Sequence, residues 1–143
     1  MPDERIDILR KVSLFDGLSD KELGAIAKAT KERRFDTGDT IVSEGDAGIG
    51  FFVIAEGTAR VEAHGQRVAT LLSGNSFGEV ALLDDGVGRR TASVIAESPL
   101  RVFGLTAWQF TPLLDQYPGL AVKIARSLAR TLRETQERAA AES

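Results

Sequence analysis

The sequence contains no cysteine and only one histidine, and these shortages exclude several kinds of site. Without cysteine the chain has no disulfide, no thiolate metal ligand and no cysteine nucleophile, which is compatible with a reducing cytoplasm. His64 alone cannot build the multi-histidine metal centre on which many small β-barrel enzymes depend, so we expect no metal and no enzymatic activity. A haem sensor is disfavoured for the same reason, because the axial ligands are lacking.

Long apolar runs and a basic excess are also missing. No stretch is apolar enough to span a bilayer, and the N-terminus lacks the apolar region of a signal peptide, so we expect a soluble, cytoplasmic protein without a membrane partner. The 18 Lys and Arg residues are outnumbered by 21 Asp and Glu residues, and the net charge is -3. General affinity for nucleic acid needs an excess of basic over acidic residues, although a few basic residues can still hold a small anion.

Helical patterns occur at both ends of this 143-residue chain, whose length predicts a single domain, residues 1–143. Ser19 and Glu22 have the spacing of a capping box, and we predict two short helices within about residues 3–31. The helical period returns at about residues 106–138, where the pair Pro118-Gly119 is expected to divide two closing helices. The first closing helix is expected to direct three side chains into the core: Trp108, Phe110 and Leu113.

Between these helices, about residues 33–105 are predicted to form short strands divided by glycine. Turn signals recur about every 8 to 12 residues, as in an antiparallel sandwich or barrel. Residues Thr58–His64 alternate small or apolar side chains with polar ones, and the following turn, 64–66, predicts a hairpin. With helices on both sides and one short helical turn inside, the predicted fold class is α+β, built around an antiparallel, jelly-roll-like β-roll.

The most informative stretch is Phe77–Val94, FGEVALLDDGVGRRTASV. Gly78 has no Cβ, so a ligand can approach its backbone closely. The segment Glu79–Leu83 is apolar enough for a helical turn, whose first N–H groups would face an anion. An Arg-Arg-Thr-Ala run follows after a loop that contains two glycines. This layout predicts a phosphate cradle.

The charges in the cradle favour a nucleotide over a bare phosphate. A carboxylate at Glu79 suits a sugar hydroxyl, while an arginine neutralises the phosphate on the far side with a planar, bidentate guanidinium. Thr91 adds a hydroxyl, and the small Ala92 leaves its backbone N–H accessible. Arg90 is the natural candidate, but spacing alone does not choose between it and Arg89, because adjacent residues of an extended segment point in opposite directions.

The stretch resembles the phosphate-binding cassette of the cyclic nucleotide-binding domain family, which includes the catabolite activator protein and the regulatory subunits of protein kinase A. The likeness extends to Gly38–Asp46, to the hairpin Phe51–Val61 and to the closing helices. It implies that Glu79 holds the ribose 2′-hydroxyl and that Arg90, not Arg89, holds the cyclic phosphate. The implied site is completed by five further residues: Gly78, Val80, Ala81, Thr91 and Ala92.

The resemblance also implies the ligand and its effect. We expect cyclic AMP, with cyclic GMP left open because a threonine in the place of Thr91 can contact guanine in some relatives. Thr135 lies in a segment similar to the adenine-contacting segment of the activator, or is an ordinary exposed helix residue. Binding is expected to move the C-terminal helices and so regulate an unidentified effector protein or domain. No DNA-binding element is expected in this chain, and a short apolar seam in the last helix, 120–137, allows a homodimer.

Two other interpretations concern the charged residues. The chain would be a protein-interaction module if it had kept the fold and lost the ligand, but the presence of both Glu79 and Arg90 argues against this. The basic residues of the last helix are interpreted as a solvated face: Lys123, Arg126, Arg130, Arg133 and Arg138.

Overall fold

The N-terminal segment forms two helices joined by a 3₁₀ turn in the computed structural model, which describes residues 4–46, 50–83 and 89–142. Helix α1 is Glu4–Leu9, the turn is Ser13–Phe15 and helix α2 is Asp20–Ala29. The Ser19 side chain accepts a hydrogen bond from the Glu22 backbone N–H at 3.1 Å, and the Glu22 carboxylate accepts one from the Ser19 N–H at 2.8 Å. The predicted capping box is therefore confirmed.

The remaining elements follow in the predicted order of strands, short helix, strands and closing helices. The strands are β1 Lys31–Phe35, β2 Thr40–Val42, β3 Gly50–Glu56, β4 Ala59–Ala63, β5 Gln66–Leu71, β6 Ser76–Phe77, β7 Ser93–Ala96 and β8 Leu100–Thr106. The helices are α3 Glu79–Leu83, α4 Ala107–Gln116 and α5 Pro118–Ala141. The helical turn predicted inside the β region is therefore confirmed as α3.

The strands form two four-stranded antiparallel sheets that face each other. Their orders are β1-β8-β3-β6 and β2-β7-β4-β5, so most neighbours in a sheet are distant in sequence. A two-residue turn joins β4 and β5, and its residues His64 and Gly65 have φ values of 54° and 77°. Two consecutive positive φ angles give the turn type whose twist matches that of the strands. The predicted α+β fold with an antiparallel β-roll is confirmed.

Alternation along β3 separates two apolar clusters. Phe51 and Val53 point outward to the helices, whereas Phe52 and Ile54 point into the roll between the sheets. The outer cluster contains the buried side chains of the helices, among them Leu23, Ile26, Leu82, Phe110 and Leu120. The helices α3, α4 and α5 therefore contribute side chains to the same cluster.

Two predictions about the C-terminal helices are wrong in part. Phe110 is fully buried and Leu113 packs against the outer cluster, but Trp108 is 66% exposed. The reason is that two residues span about 200° on an α-helix, so Trp108 and Phe110 lie on nearly opposite faces. The chain does not break at Pro118-Gly119 either, because the break is at Tyr117 and Pro118 occupies the first turn of α5, where its missing N–H is harmless.

Helix α5 packs on the N-terminal segment, and its described residues after Ser127 are exposed. Ile124 is buried, but Leu128 and Leu132 of the predicted seam are 41% and 58% exposed. Of its basic residues, Lys123 is half-buried and donates to Glu22 at 2.7 Å, so the interpretation as a solvated face is wrong for this residue. Arg130 is exposed as expected and donates to Asp16 at 2.8 Å. No helix within the described residues is long and apolar enough to cross a membrane.

Candidate functional site

Gly78 lies between β6 and α3 with a φ of 90°, a conformation that side chains disfavour. A Cβ at this position would collide with the carbonyl oxygen of Gly50 and would lie 2.7 Å from Nη1 of Arg90. The two ends of the predicted cradle, which are distant along the chain, therefore meet at this glycine. Only a residue without a side chain allows the approach.

Arg90 supplies the cation of the site. Its Nη2 donates to the carbonyl oxygen of Gly50, while its Nε is buried and has no hydrogen-bond partner within the described residues. Burial lowers the pKa of the Arg90 guanidinium, and the negative charge of Glu79 opposes this shift. A desolvated cation with an unused donor is poised to bind an anion.

The two arginines of the cradle point in different directions, as residues adjacent in an extended segment do. Two hydrogen bonds fix the backbone around Arg90. The Arg90 N–H donates to the Asp46 carbonyl oxygen at 2.7 Å, and the Gly45 N–H donates to the Arg90 carbonyl oxygen at 2.8 Å. With the backbone held in this way, the Arg90 side chain is half-buried beside Gly78. Arg89 is exposed and donates to the carbonyl oxygen of Gly45 at 2.8 Å.

Glu79 is the first residue of α3 and is half-buried. Its Oε1 accepts a hydrogen bond from the Ser76 hydroxyl at 2.6 Å. The carboxylate also lines a cavity of about 670 Å³ between the N-terminal segment and α5, together with Ser127, Leu128 and Thr131. Glu79 therefore lies between the cradle and a cavity that residues of the last helix also line.

The other predicted site residues lie around this pair. Ala81 is buried in α3, Thr91 is exposed and Ala92 is half-buried next to Arg90. Val80 belongs to α3, but its side chain lies outside the described residues, as does the loop 84–88. Thr135 is not brought to the cradle, because it is exposed on α5 and its hydroxyl donates to the Thr131 carbonyl at 2.9 Å.

Three residues of the site were missed by reasoning from the sequence. Ser76 lies three residues before Glu79, but no motif of the sequence marks its contact with the carboxylate. Gly50 and Asp46 act through backbone carbonyls, and no side-chain pattern marks such a role. Their part in the site depends on how β3 and the segment before it lie against Arg90.

The apolar side of the site is the interior of the roll. The rings of Phe52 and Phe77 stack with their centroids 5.2 Å apart, directly before Gly78. Val61 and Leu71 pack against the same inner cluster. Within the described residues no group of three His, Asp or Glu side chains is placed to hold a metal ion. The arrangement suits an organic anion with an apolar part and a hydroxyl.

A comparison with protein families agrees with this chemistry. The family model described as cyclic nucleotide-binding domain matches residues 32–117, which is more than half of the chain. The chain belongs to the cyclic nucleotide-binding domain family. The matched range includes every predicted site residue except Thr135, so the resemblance drawn from the cassette is confirmed at the level of the family.

Relatives of this cyclic nucleotide-binding domain include protein kinases and their regulators. The chain is similar to a cAMP-dependent protein kinase regulatory subunit of Hypocrea atroviridis, with 35% identity over 80% of this chain and 24% of the relative. It is also similar to a cGMP-dependent protein kinase of Caenorhabditis briggsae, with 36% identity over 76% of this chain and 15% of the relative. The chain thus spans a quarter or less of the length of these two relatives.

Solved structures share the fold of this cyclic nucleotide-binding domain. The N-terminal domain of a transcriptional regulator from Streptomyces coelicolor is 29% identical and has a TM-score of 0.85, covering 92% of this chain and 96% of that one. The catabolite activator protein of Thermus thermophilus is 31% identical and has a TM-score of 0.74, covering 88% of this chain and 61% of that one.

Proposed function

We propose that the domain binds cyclic AMP at the cradle, with Arg90 on the cyclic phosphate. The observation that carries the proposal is the half-buried guanidinium of Arg90. Its Nε has no hydrogen-bond partner among the described residues, and it lies against a glycine that no other residue can replace. A cyclic phosphate would satisfy this donor and compensate the desolvated charge. The backbone of Gly78 and the neighbouring Thr91 and Ala92 would complete the phosphate contacts.

Glu79 is proposed to accept the ribose 2′-hydroxyl. The Ser76 hydroxyl engages Oε1, and Oε2 has no hydrogen-bond partner within the described residues. The free oxygen is thus available to a sugar hydroxyl, while Ser76 fixes the rotamer of the carboxylate. Val80 and Ala81 follow Glu79 in α3 and would contact the nucleotide beside the ribose.

Cyclic GMP is the second candidate ligand, and one observation favours it. Thr91 is exposed beside Arg90, so its hydroxyl is accessible to the polar edge of a guanine. The relatives described above include both a cAMP-dependent and a cGMP-dependent kinase protein, so kinship does not decide between the two bases. We favour cyclic AMP, and the affinities for cyclic AMP and cyclic GMP are compared in the experiment below.

The decisive experiment is calorimetric titration of the purified chain with cyclic AMP and cyclic GMP. Arg90→Ala should weaken binding at least about tenfold, because a hydrogen bond to a charged group contributes roughly 1.5 to 3 kcal/mol. Arg89→Ala is the matched control and should change the affinity by less than about twofold, since its guanidinium is exposed and bound elsewhere. Absence of binding to both nucleotides, or equal losses in the two variants, would refute the proposal.

The proposal extends to a response of the C-terminal helices. Leu82 of α3 is buried in the outer cluster with Phe110 and Leu120, and Glu79 shares a cavity with residues of α5. Ligand contact with Glu79 and Arg90 would shift α3, and α4 and α5 would follow because their packing is shared. An effector outside this chain would read the movement. Thr135 would reach the base only if α5 moved toward the cradle.

Movement can be measured because the chain has no cysteine of its own. Spin labels on cysteines introduced at Lys21 and Arg138, both exposed, report the distance between α2 and the end of α5. We expect the distance distribution to shift when cyclic AMP is added and to remain unchanged in the Arg90→Ala background. An identical distribution with and without bound nucleotide would overturn the coupling but not the binding.

A further inference from the structure

A cavity of about 410 Å³ opens between β1 and β2, which are edge strands of the two sheets. We call it the edge cavity. Its floor is Phe52, its sides include Lys31 and Arg33 from β1 and Ile41 from β2, and Trp108 lies at its rim. Arg90 also lines it, whereas Glu79 and Ser76 do not. Its volume is within the usual range for small-molecule sites.

The cavity exists because glycines replace side chains on the inner face of one sheet. In the register of the strands, Lys31 on β1 lies opposite Gly104 on β8, and Gly104 lies opposite Phe52 on β3. A Cβ on Gly104 or on Gly50 would come within 3.1 Å of the Phe52 ring. The Phe52 ring therefore packs against the backbone of Gly50 and Gly104, and the cavity is the open space over this ring.

The charges around this space are mostly positive. Lys31, Arg33 and Arg90 line the edge cavity, and Asp46 is the only carboxylate among its described lining residues. Within the part of the chain that the structure describes, Lys31 and Arg33 have no ion-pair partner, and Arg33 lies over the Phe35 ring at 5.1 Å. The next residue, Arg34, points to the other face of β1 and pairs with Glu32 at 3.4 Å.

We propose that the edge cavity binds a second ligand, a small organic anion with a flat apolar body, such as an aromatic carboxylate. The apolar body would lie on Phe52 and against Ile41. The acidic group would reach Lys31 and Arg33, whose charges are not compensated within the described residues. Arg90, Gly50 and Asp46 belong both to the lining of this cavity and to the proposed cyclic nucleotide site, whereas Lys31, Arg33 and Ile41 lie outside that site. The proposal does not depend on nucleotide binding.

Trp108 provides a direct readout, because it is the only tryptophan of the chain and lies at the rim of the cavity. The probe is naphthoate, titrated into isotope-labelled protein while the single indole N–H resonance is followed by NMR. We expect a saturable shift of this resonance. The cationic analogue naphthylmethylamine, which has the same ring system, should produce none, because the three lining cations repel it.

Matched variants on β1 test the role of charge. Arg33→Gln should weaken naphthoate binding by about five- to tenfold, whereas Arg34→Gln, its neighbour on the opposite face, should change it by less than about twofold. Gly104→Ala, which adds a methyl group on the floor beside Phe52, should also weaken it. Thermal unfolding of each variant shows whether the protein still folds. Cyclic nucleotide titration shows whether the nucleotide site is intact, so that a loss of naphthoate binding can be assigned to the edge cavity.

Three results would overturn the proposal. They are the absence of a saturable shift in the folded wild-type chain, equal effects of Arg33→Gln and Arg34→Gln, and equal binding of naphthoate and the amine. The last result would indicate contact with apolar surface alone.

Discussion

Arg90 occupies the space that a side chain on Gly78 would need. A Cβ on Gly78 would be 2.7 Å from Nη1 of Arg90 and would also collide with the carbonyl of Gly50. The position of the cationic group thus depends on the absence of a side chain twelve residues earlier in the sequence. This relationship connects the two ends of the cassette without a hydrogen bond between them.

Gly78→Ala should therefore displace the Arg90 guanidinium from its position beside residue 78. We expect nucleotide affinity to fall by at least about tenfold in calorimetric titration. Stability should fall by about 1 to 3 kcal/mol, because an alanine at positive φ is strained and its methyl group displaces Arg90. Gly38→Ala is the matched control. It has nearly the same φ, 92°, with no atom within 4 Å of the added Cβ, so it should reproduce the strain but not the loss of affinity.

Ser76→Ala should weaken nucleotide binding by a few fold, because Glu79 loses the hydroxyl that fixes its carboxylate at 2.6 Å. The effect should vanish when 2′-deoxy-cyclic AMP is used, since that ligand offers no 2′-hydroxyl to Glu79. Comparing the two ligands on wild type and Ser76→Ala forms a double-mutant cycle. A loss that is the same for both ligands would contradict the ribose assignment.

Glu22 makes the stability of the fold depend on acid pH. Burial raises the pKa of its carboxyl, but hydrogen bonds from Lys123 and Ser19 outweigh this and lower the pKa below its ordinary value of 4.5. A carboxyl with a lowered pKa stabilises the folded state above the ordinary value, and that contribution disappears as the pH falls through the folded-state pKa. The free energy of unfolding should therefore decrease below about pH 4.5, as urea denaturation at several pH values would show.

Glu22→Gln should lower stability by about 1 kcal/mol at neutral pH, since the charged hydrogen bond between α2 and α5 is lost. The variant and the wild type should converge in acid, because both then carry an uncharged side chain. Glu137→Gln, an exposed change on α5, is the control and should leave the curve unaltered. A constant difference between Glu22→Gln and wild type at every pH would contradict this assignment.

Ser127→Ala should stabilise the protein by about 0.5 to 1 kcal/mol. The Ser127 side chain is in the middle of α5 and 4% exposed, and its hydroxyl has no hydrogen-bond partner within the described residues. Alanine removes that uncompensated group and has the higher helix propensity. Thr135→Ala is the comparison on the same helix, at an exposed hydroxyl that is hydrogen-bonded to the Thr131 carbonyl. Thermal unfolding of both variants measures the change in stability. Destabilisation by Ser127→Ala would mean that the Ser127 hydroxyl has a hydrogen-bond partner in the folded protein.

The local features of this protein follow from short stretches of sequence. The capping box of Ser19 and Glu22, the His64-Gly65 turn and the helix after Gly78 each depend on residues at most a few positions apart. For such features the backbone conformation and the hydrogen-bond partner are set by neighbouring side chains. The family resemblance was visible for the same reason, since the cassette is a continuous motif.

Other features depend on residues that are far apart in the chain, and the folded structure shows their physical cause. Arg90 rather than Arg89 is half-buried because backbone hydrogen bonds to Gly45 and Asp46 orient the segment. The edge cavity requires Gly50 and Gly104 to be brought to opposite sides of one ring by the pairing of β3 with β8. The direction of a side chain on an irregular segment, and a space between two sheets, are set by tertiary packing that no local pattern encodes.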